Sequence, residues 1–119
     1  MSPTLHNAWI TAAGLDAAYV AFPVPQGSFT AFVEGVRRVI RGVNVTAPFK
    51  GEAFAIADQV SPAAQRLGAA NLLVFEIDGT ILAENTDGEG LLAAFAEQAA
   101  GHDLAAGPAV VIGAGGAAR

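Results

Sequence analysis

Lys50 is the sole lysine of the chain. It follows Asn44-Val45-Thr46-Ala47-Pro48-Phe49, where a strand-like apolar pattern gives way to a helical one. Strand ends and the loops after them are where α/β proteins build their sites. A partly desolvated ammonium group can serve there as acid, base or electrostatic clamp, because burial penalises its charged form. The plain alternative is a solvated lysine in a chain that otherwise uses Arg. A second strand-to-helix junction carries Asn85-Thr86-Asp87. A carboxylate there could hold substrate hydroxyls, or pair with Lys50 and keep it charged. The same residues also read as an ordinary helix start, with Thr86 and Glu89 at the T-x-x-E spacing of a capping box. Asn71 stands between Gly68-Ala69-Ala70 and an apolar run. An amide at the mouth of a buried strand needs partners, which backbone groups supply as readily as a ligand. Ser2 reads first as a helix cap. His6 and His102 have no Cys, His or carboxylate neighbours at ligand spacing, so no metal is expected. Trp9 and Tyr19 read as core residues.

The elements that must position these groups follow from periodicity and punctuation. Ser2-Pro3 opens a helix in which Leu5, Ala8, Trp9, Ala12 and Ala13 recur at helical spacing, and Gly14 stops it. Residues 17–22 read as a buried strand closed by Pro23-Val24-Pro25. Phe29, Phe32, Val33, Val36, Val39 and Ile40 form a second helical stripe, ended by Gly42. A short strand over 43–46 leads into Pro48 and a helix over about 52–58. Ser61-Pro62 starts another helix, which Gly68 stops. Residues 72–77 form a strand, Asp78-Gly79 a hairpin turn, and 80–83 the returning strand. A helix then runs to about residue 99. A last apolar strand, 109–112, precedes a glycine-rich end. The alternation predicts an α/β fold: a mainly parallel, mixed sheet with helices on both faces and one β-hairpin.

Composition narrows the function classes. Of 119 residues, 53% are hydrophobic and 14% charged, too apolar for a disordered chain. The net charge of −5 argues against nucleic acid as a partner. The absence of Cys removes disulfides, thiolate chemistry and Cys zinc sites, and fits a reducing compartment. No apolar run approaches the 18 residues or so of a membrane span, and the first residues lack the pattern of a signal peptide. Gly113, Gly115 and Ala118 fit G-x-G-x-x-G/A directly after a predicted strand. That motif seats a pyrophosphate at the start of the next helix. With no returning strand in the sequence, it reads as an incomplete Rossmann βα start. Both ends of the chain read as cut.

Taken together, SPTLHN at 2–7, GVNVTAPFK at 42–50, GAAN at 68–71, ENTDGEG at 84–90 and GAGGAAR at 113–119 resemble the shikimate dehydrogenase family, in its order and with its approximate spacing. GxNVTxPxK followed by NTDGxG is highly specific, whereas GAGGAAR alone would not be. The resemblance implies a substrate-binding domain over 1–104, lacking its first strand, and the start of an NADP-binding Rossmann domain over 105–119. The reaction it implies is reversible NADPH-dependent reduction of 3-dehydroshikimate to shikimate, in aromatic amino-acid biosynthesis. Lys50 falls on the family's catalytic lysine and Asp87 on the aspartate beside it. Thr46 and Asn71 fall on ring-binding positions, and Ser2 on the second of two serines that hold the substrate carboxylate. Gly113, Ala114, Gly115, Gly116 and Ala117 fall on the dinucleotide loop. A cytoplasmic location and a homodimer are further implications.

The implied chemistry suits these residue types. Hydride delivery to a ketone develops oxyanion character, which an ammonium group stabilises and can protonate. Ring hydroxyls want acceptors such as Asn71 and Asp87. A carboxylate wants hydroxyl donors near a helix N-terminus, where Ser2 stands. Leu72 departs from the family, which commonly has Thr there. It leaves open a quinate or aminoshikimate dehydrogenase. A non-catalytic binder of a hydroxylated cyclic carboxylate is the alternative from another class, and a fragment with no stable fold is a third. The 119 residues alone are expected not to catalyse hydride transfer.

Overall fold

The computed structural model describes residues 2–101, 103, 106–108, 110, 112 and 113. Among the described residues, nine elements follow in chain order: α1 (Ser2–Ala12), α2 (Phe29–Val36), β1 (Gly42–Asn44), α3 (Lys50–Ala55), β2 (Gln59–Val60), α4 (Pro62–Leu67), β3 (Leu72–Phe75), β4 (Ile81–Glu84) and α5 (Asp87–Gln98). The four strands form one sheet in the order β1-β3-β4-β2. The α/β class and the mixed sheet are as expected.

The majority of parallel pairings is not. Only β2 and β4 run parallel; β1 with β3 and β3 with β4 are antiparallel. The turn at Asp78-Gly79 reverses the chain between β3 and β4, which forces their antiparallel register, Leu73 opposite Ala83 and Phe75 opposite Ile81. A parallel pair needs a long crossover, and α4 with β3 supplies it between β2 and β4. Strand β2, two residues long, offers too few positions for a period to register in the sequence.

Side chains of β3 and β4 alternate between buried and half-buried positions, as a sheet with one face on the core demands. Leu73 and Ile81 are fully buried, with Val33 of α2 packed in the same cluster beside Phe29, Phe75, Ala53 and Ala83. Burying a side chain such as Leu73 contributes about 2 kcal/mol. Phe29 stacks on Phe49 at 5.1 Å between ring centroids, which ties α2 to the turn that leads into α3. Helix α4 begins and ends as its punctuation predicts. The Ser61 hydroxyl accepts from the Ala64 N–H, Pro62 takes the first position, and Gly68 closes the helix. Helix α2 stops at Val36, short of Ile40. Its last turn tightens as Val39 and Ile40 both donate to the Val36 carbonyl, and Val39 swings into solvent.

Residues 17–22 are not a strand. They lie outside every strand of the sheet, with Val20 and Phe22 exposed. A strand exists only where a neighbour answers its backbone groups. Here an α1 side chain takes that part: Asn7 Nδ2 donates to the Tyr19 carbonyl and Asn7 Oδ1 accepts from the Tyr19 N–H, each at 2.8 Å. Trp9, expected in the core, is 57% exposed. It meets the edge of His6, which stacks on the half-buried Tyr19 at 4.3 Å. The predicted strand over 109–112 is also not observed among the described residues: Val110 and Ile112 lie outside any strand and are 86% and 98% exposed. Ala109, Val111 and His102 lie outside the described residues.

Three backbone bonds converge at one end of the sheet. The Val45 N–H donates to the Asn71 carbonyl, the Asn71 N–H to the Glu84 carbonyl, and the Ala70 N–H to the Lys50 carbonyl. They draw the exit of β1, the entry of β3 and the exit of β4 together, and thereby the first turns of α3 and α5.

Candidate functional site

Lys50 is the first residue of α3, a position the helix dipole disfavours for a cation. Asp87 is the first residue of α5, where the dipole favours an anion. The two side chains meet: Lys50 Nζ donates to Asp87 Oδ2 at 2.6 Å. The lysine side chain is 18% exposed and the aspartate 37%, so the pair is shielded yet reachable from solvent. The other carboxylate oxygen, Oδ1, accepts from Asn71 Nδ2 at 2.8 Å. Asn71 also donates to Thr86 Oγ1 at 3.0 Å and accepts from the Thr86 N–H at 3.1 Å. One amide thus holds both the carboxylate and the residue before it.

This arrangement displaces the predicted capping box. Thr86 is the N-cap of α5, but its hydroxyl makes no capping bond; it faces Asn71 instead. The N–H of Asp87 is met by Asn85 Oδ1 at 2.9 Å. Sequence reasoning misses Asn85 because a strand-end amide has no period of its own. The available signal is its position two residues before Asp87, the spacing at which Asx side chains bond their own backbone.

Lys50, Asp87, Asn71, Thr46 and Ser2 all border one cleft of about 1160 Å³. The cleft also reaches Tyr19 and β1, so it opens between the sheet edge and the extended segment 17–22. Ser2, which begins α1, accepts through its carbonyl from His6 Nδ1 at 2.9 Å, the ring nitrogen taken as the donor. Five of the residues singled out from sequence therefore share one concave surface. An ammonium group beside a carboxylate, with an amide and hydroxyls around them, can orient a polyhydroxylated ring and transfer a proton at a carbonyl oxygen.

The family model for the shikimate dehydrogenase substrate binding domain matches residues 1–73. The chain belongs to the shikimate dehydrogenase family. An NADP(+) shikimate dehydrogenase of Caulobacter vibrioides is 59% identical over 120 residues, which cover 100% of this chain and 42% of that relative. Among solved structures, shikimate 5-dehydrogenase of Thermus thermophilus in complex with shikimate superposes with a TM-score of 0.86 at 42% identity, covering 98% of this chain and 44% of that one. A second structure of that protein holds NADP(H) and shikimate. Shikimate dehydrogenase 1 of Peptoclostridium difficile gives a TM-score of 0.89 at 30% identity, over 98% of this chain and 44% of the other. The chain spans less than half the length of these relatives. Of the expected dinucleotide loop only Gly113 is described; Ala114, Gly115, Gly116 and Ala117 lie outside the described residues. Gly113 adopts φ +120°, with nothing within 4 Å of where a Cβ would stand. That conformation favours glycine.

Proposed function

We propose that this chain forms the substrate-binding part of an NADP-dependent shikimate dehydrogenase that interconverts 3-dehydroshikimate and shikimate. The observation that carries the reading is the 2.6 Å contact between Lys50 and Asp87 on the wall of a cleft that also holds Asn71, Thr46 and Ser2. Lys50 and Asp87 act as the catalytic pair. The ammonium group approaches the ring ketone oxygen, stabilises the oxyanion as it forms, and passes it a proton. Asp87 keeps the ammonium in place and accepts from a neighbouring ring hydroxyl. Asn71 and Thr46 hold the ring, and Ser2, in the first turn of α1, donates to its carboxylate. NADPH, when bound, supplies the hydride. Gly113 opens the loop that would hold it, with Ala114, Gly115, Gly116 and Ala117.

The substrate domain runs over 1–104 and the cofactor domain begins within 105–119. A cytoplasmic location and a homodimer belong to the same reading. The lack of Cys fits a reducing compartment. No described helix is long and apolar enough to cross a membrane.

Titrating shikimate into the ¹⁵N-labelled chain tests the proposal. Amide shifts should move at Thr46, Lys50, Asn71 and Asp87, and the Asp87→Ala variant should lose them. Saturating shikimate without shifts at those positions would sink the reading. An NADPH absorbance assay on the same 119 residues should show no turnover.

A further inference from the structure

We infer that Asn85 is a positioning residue for Asp87: its amide sets the carboxylate in the cleft without itself facing the ligand. The inference rests on the function proposed above.

Asn85 is the one buried polar side chain among the described residues, at 3% exposure. It does not border the cleft. Both ends of its amide are engaged. Nδ2 donates to the Ala69 carbonyl at 2.9 Å, and Oδ1 accepts from the Asp87 N–H at 2.9 Å. Ala69 and Ala70 are buried too, and Ala70 in turn donates to the Lys50 carbonyl. The amide is therefore a buried strut with one foot on the 68–71 loop, which carries Asn71, and the other on the residue that carries the carboxylate. Since Thr86 makes no capping bond, Asn85 is the side chain that meets the first N–H of α5. The bond fixes the backbone from which the Asp87 side chain leaves, and so the direction in which it reaches Lys50 Nζ and Asn71 Nδ2.

Two variants separate the two feet. Asn85→Ser keeps a short acceptor for the N–H two residues on, while abandoning the Ala69 carbonyl. Asn85→Ala abandons both. Each leaves the Ala69 carbonyl buried without its partner, so both lose thermal stability, and the difference between them isolates the bond to Asp87.

The decisive experiment is a double-mutant cycle on shikimate binding, measured by calorimetry on the chain and by KM and kcat in the dehydrogenase that carries it. In the wild-type background, Asn85→Ala should weaken shikimate binding by about tenfold and lower kcat by a similar factor, whereas Asn85→Ser should stay within about threefold. In an Asp87→Asn background the further loss from Asn85→Ala should shrink to about twofold, because the group it positions is already disabled. A purely structural asparagine would lower the melting temperature equally and cost the same factor in both backgrounds; that additivity would overturn the inference. If Asn85→Ala does not fold, Asn85→Ser carries the test: a tenfold loss in that folded variant, undiminished by Asp87→Asn, would overturn it as well. Failure of the wild-type chain to bind shikimate would instead remove the functional reading, and the inference with it.

Discussion

Replacing Lys50 by Met should separate the stability of this domain from its chemistry. Met keeps the length and apolar stem of the side chain and deletes the charge. The fold loses little. Asp87 retains its bond from Asn71 Nδ2 at 2.8 Å, and its 37% exposure lets water answer the oxygen that Lys50 vacates. An ion pair this accessible contributes about 1 kcal/mol or less. That corresponds to a fall of about 4 °C in melting temperature for a domain of this size. The reaction loses much more. Deleting one preorganised donor to a developing oxyanion typically costs about 10²–10³ in kcat, and losing the proton donor adds to it. A fall of about 10³ in kcat, or about 4 kcal/mol in the barrier, is expected with shikimate KM changed only a few-fold. Steady-state oxidation of shikimate with NADP by the whole dehydrogenase that carries this chain, beside a thermal melt of the same preparation, reads both numbers. A kcat within about threefold of wild type, in a protein that melts normally, would refute the assignment of Lys50 to the oxyanion.

Leu73→Ala, at a fully buried site in the centre of β3, should cost about 2–5 kcal/mol by urea denaturation, and a loss below about 1 kcal/mol would mean the core packs elsewhere. Gly42→Ala sets a methyl against the Leu73 carbonyl of the neighbouring strand β3 and should destabilise by about 1–3 kcal/mol in the same assay; a neutral result would show that the edge strand yields freely. In the hairpin turn, the Thr80 N–H donates to Asp78 Oδ1 at 2.8 Å and holds that carboxyl below the usual aspartate range. A carboxyl depressed in the folded state adds stability above its unfolded value, and this is lost as pH falls through the folded one. An NMR titration should therefore find Asp78 titrating lower than in Thr80→Pro, which lacks the N–H donor.

Much of the candidate site was legible in single residues. A lone lysine at the first turn of a short helix and an aspartate at the first turn of another are readable because each sits just after an apolar strand pattern. The glycine stop at Gly68 and the Ser61-Pro62 start are local events, decided within a few residues by φ and by capping groups, and the chain adopts both as read. The chain also reverses about Asp78-Gly79, but β3 ends at Phe75, β4 begins at Ile81 and only Gly79 takes a positive φ, so the expected two-residue turn gives way to a longer one. Residues 17–22 and 109–112 have the composition of strands, yet the described residues of neither segment join the sheet. Strand formation is a property of two chain segments, and a one-segment pattern cannot say whether the second is present. The same limit hid the antiparallel majority and the two-residue β2.

What the linear order of residues determined was the set of groups and the ends of the elements that bear them. Tertiary structure alone decided that Lys50 and Asp87, 37 positions apart, would touch. It also set Asn71 beside them, gave Thr86 to Asn71 rather than to its own helix, and made Asn85 a buried strut. The physical reason is that each of these partners is chosen by backbone pairing among β1, β3 and β4. That pairing brings three strand ends to one edge of the cleft, and no short-range preference encodes it.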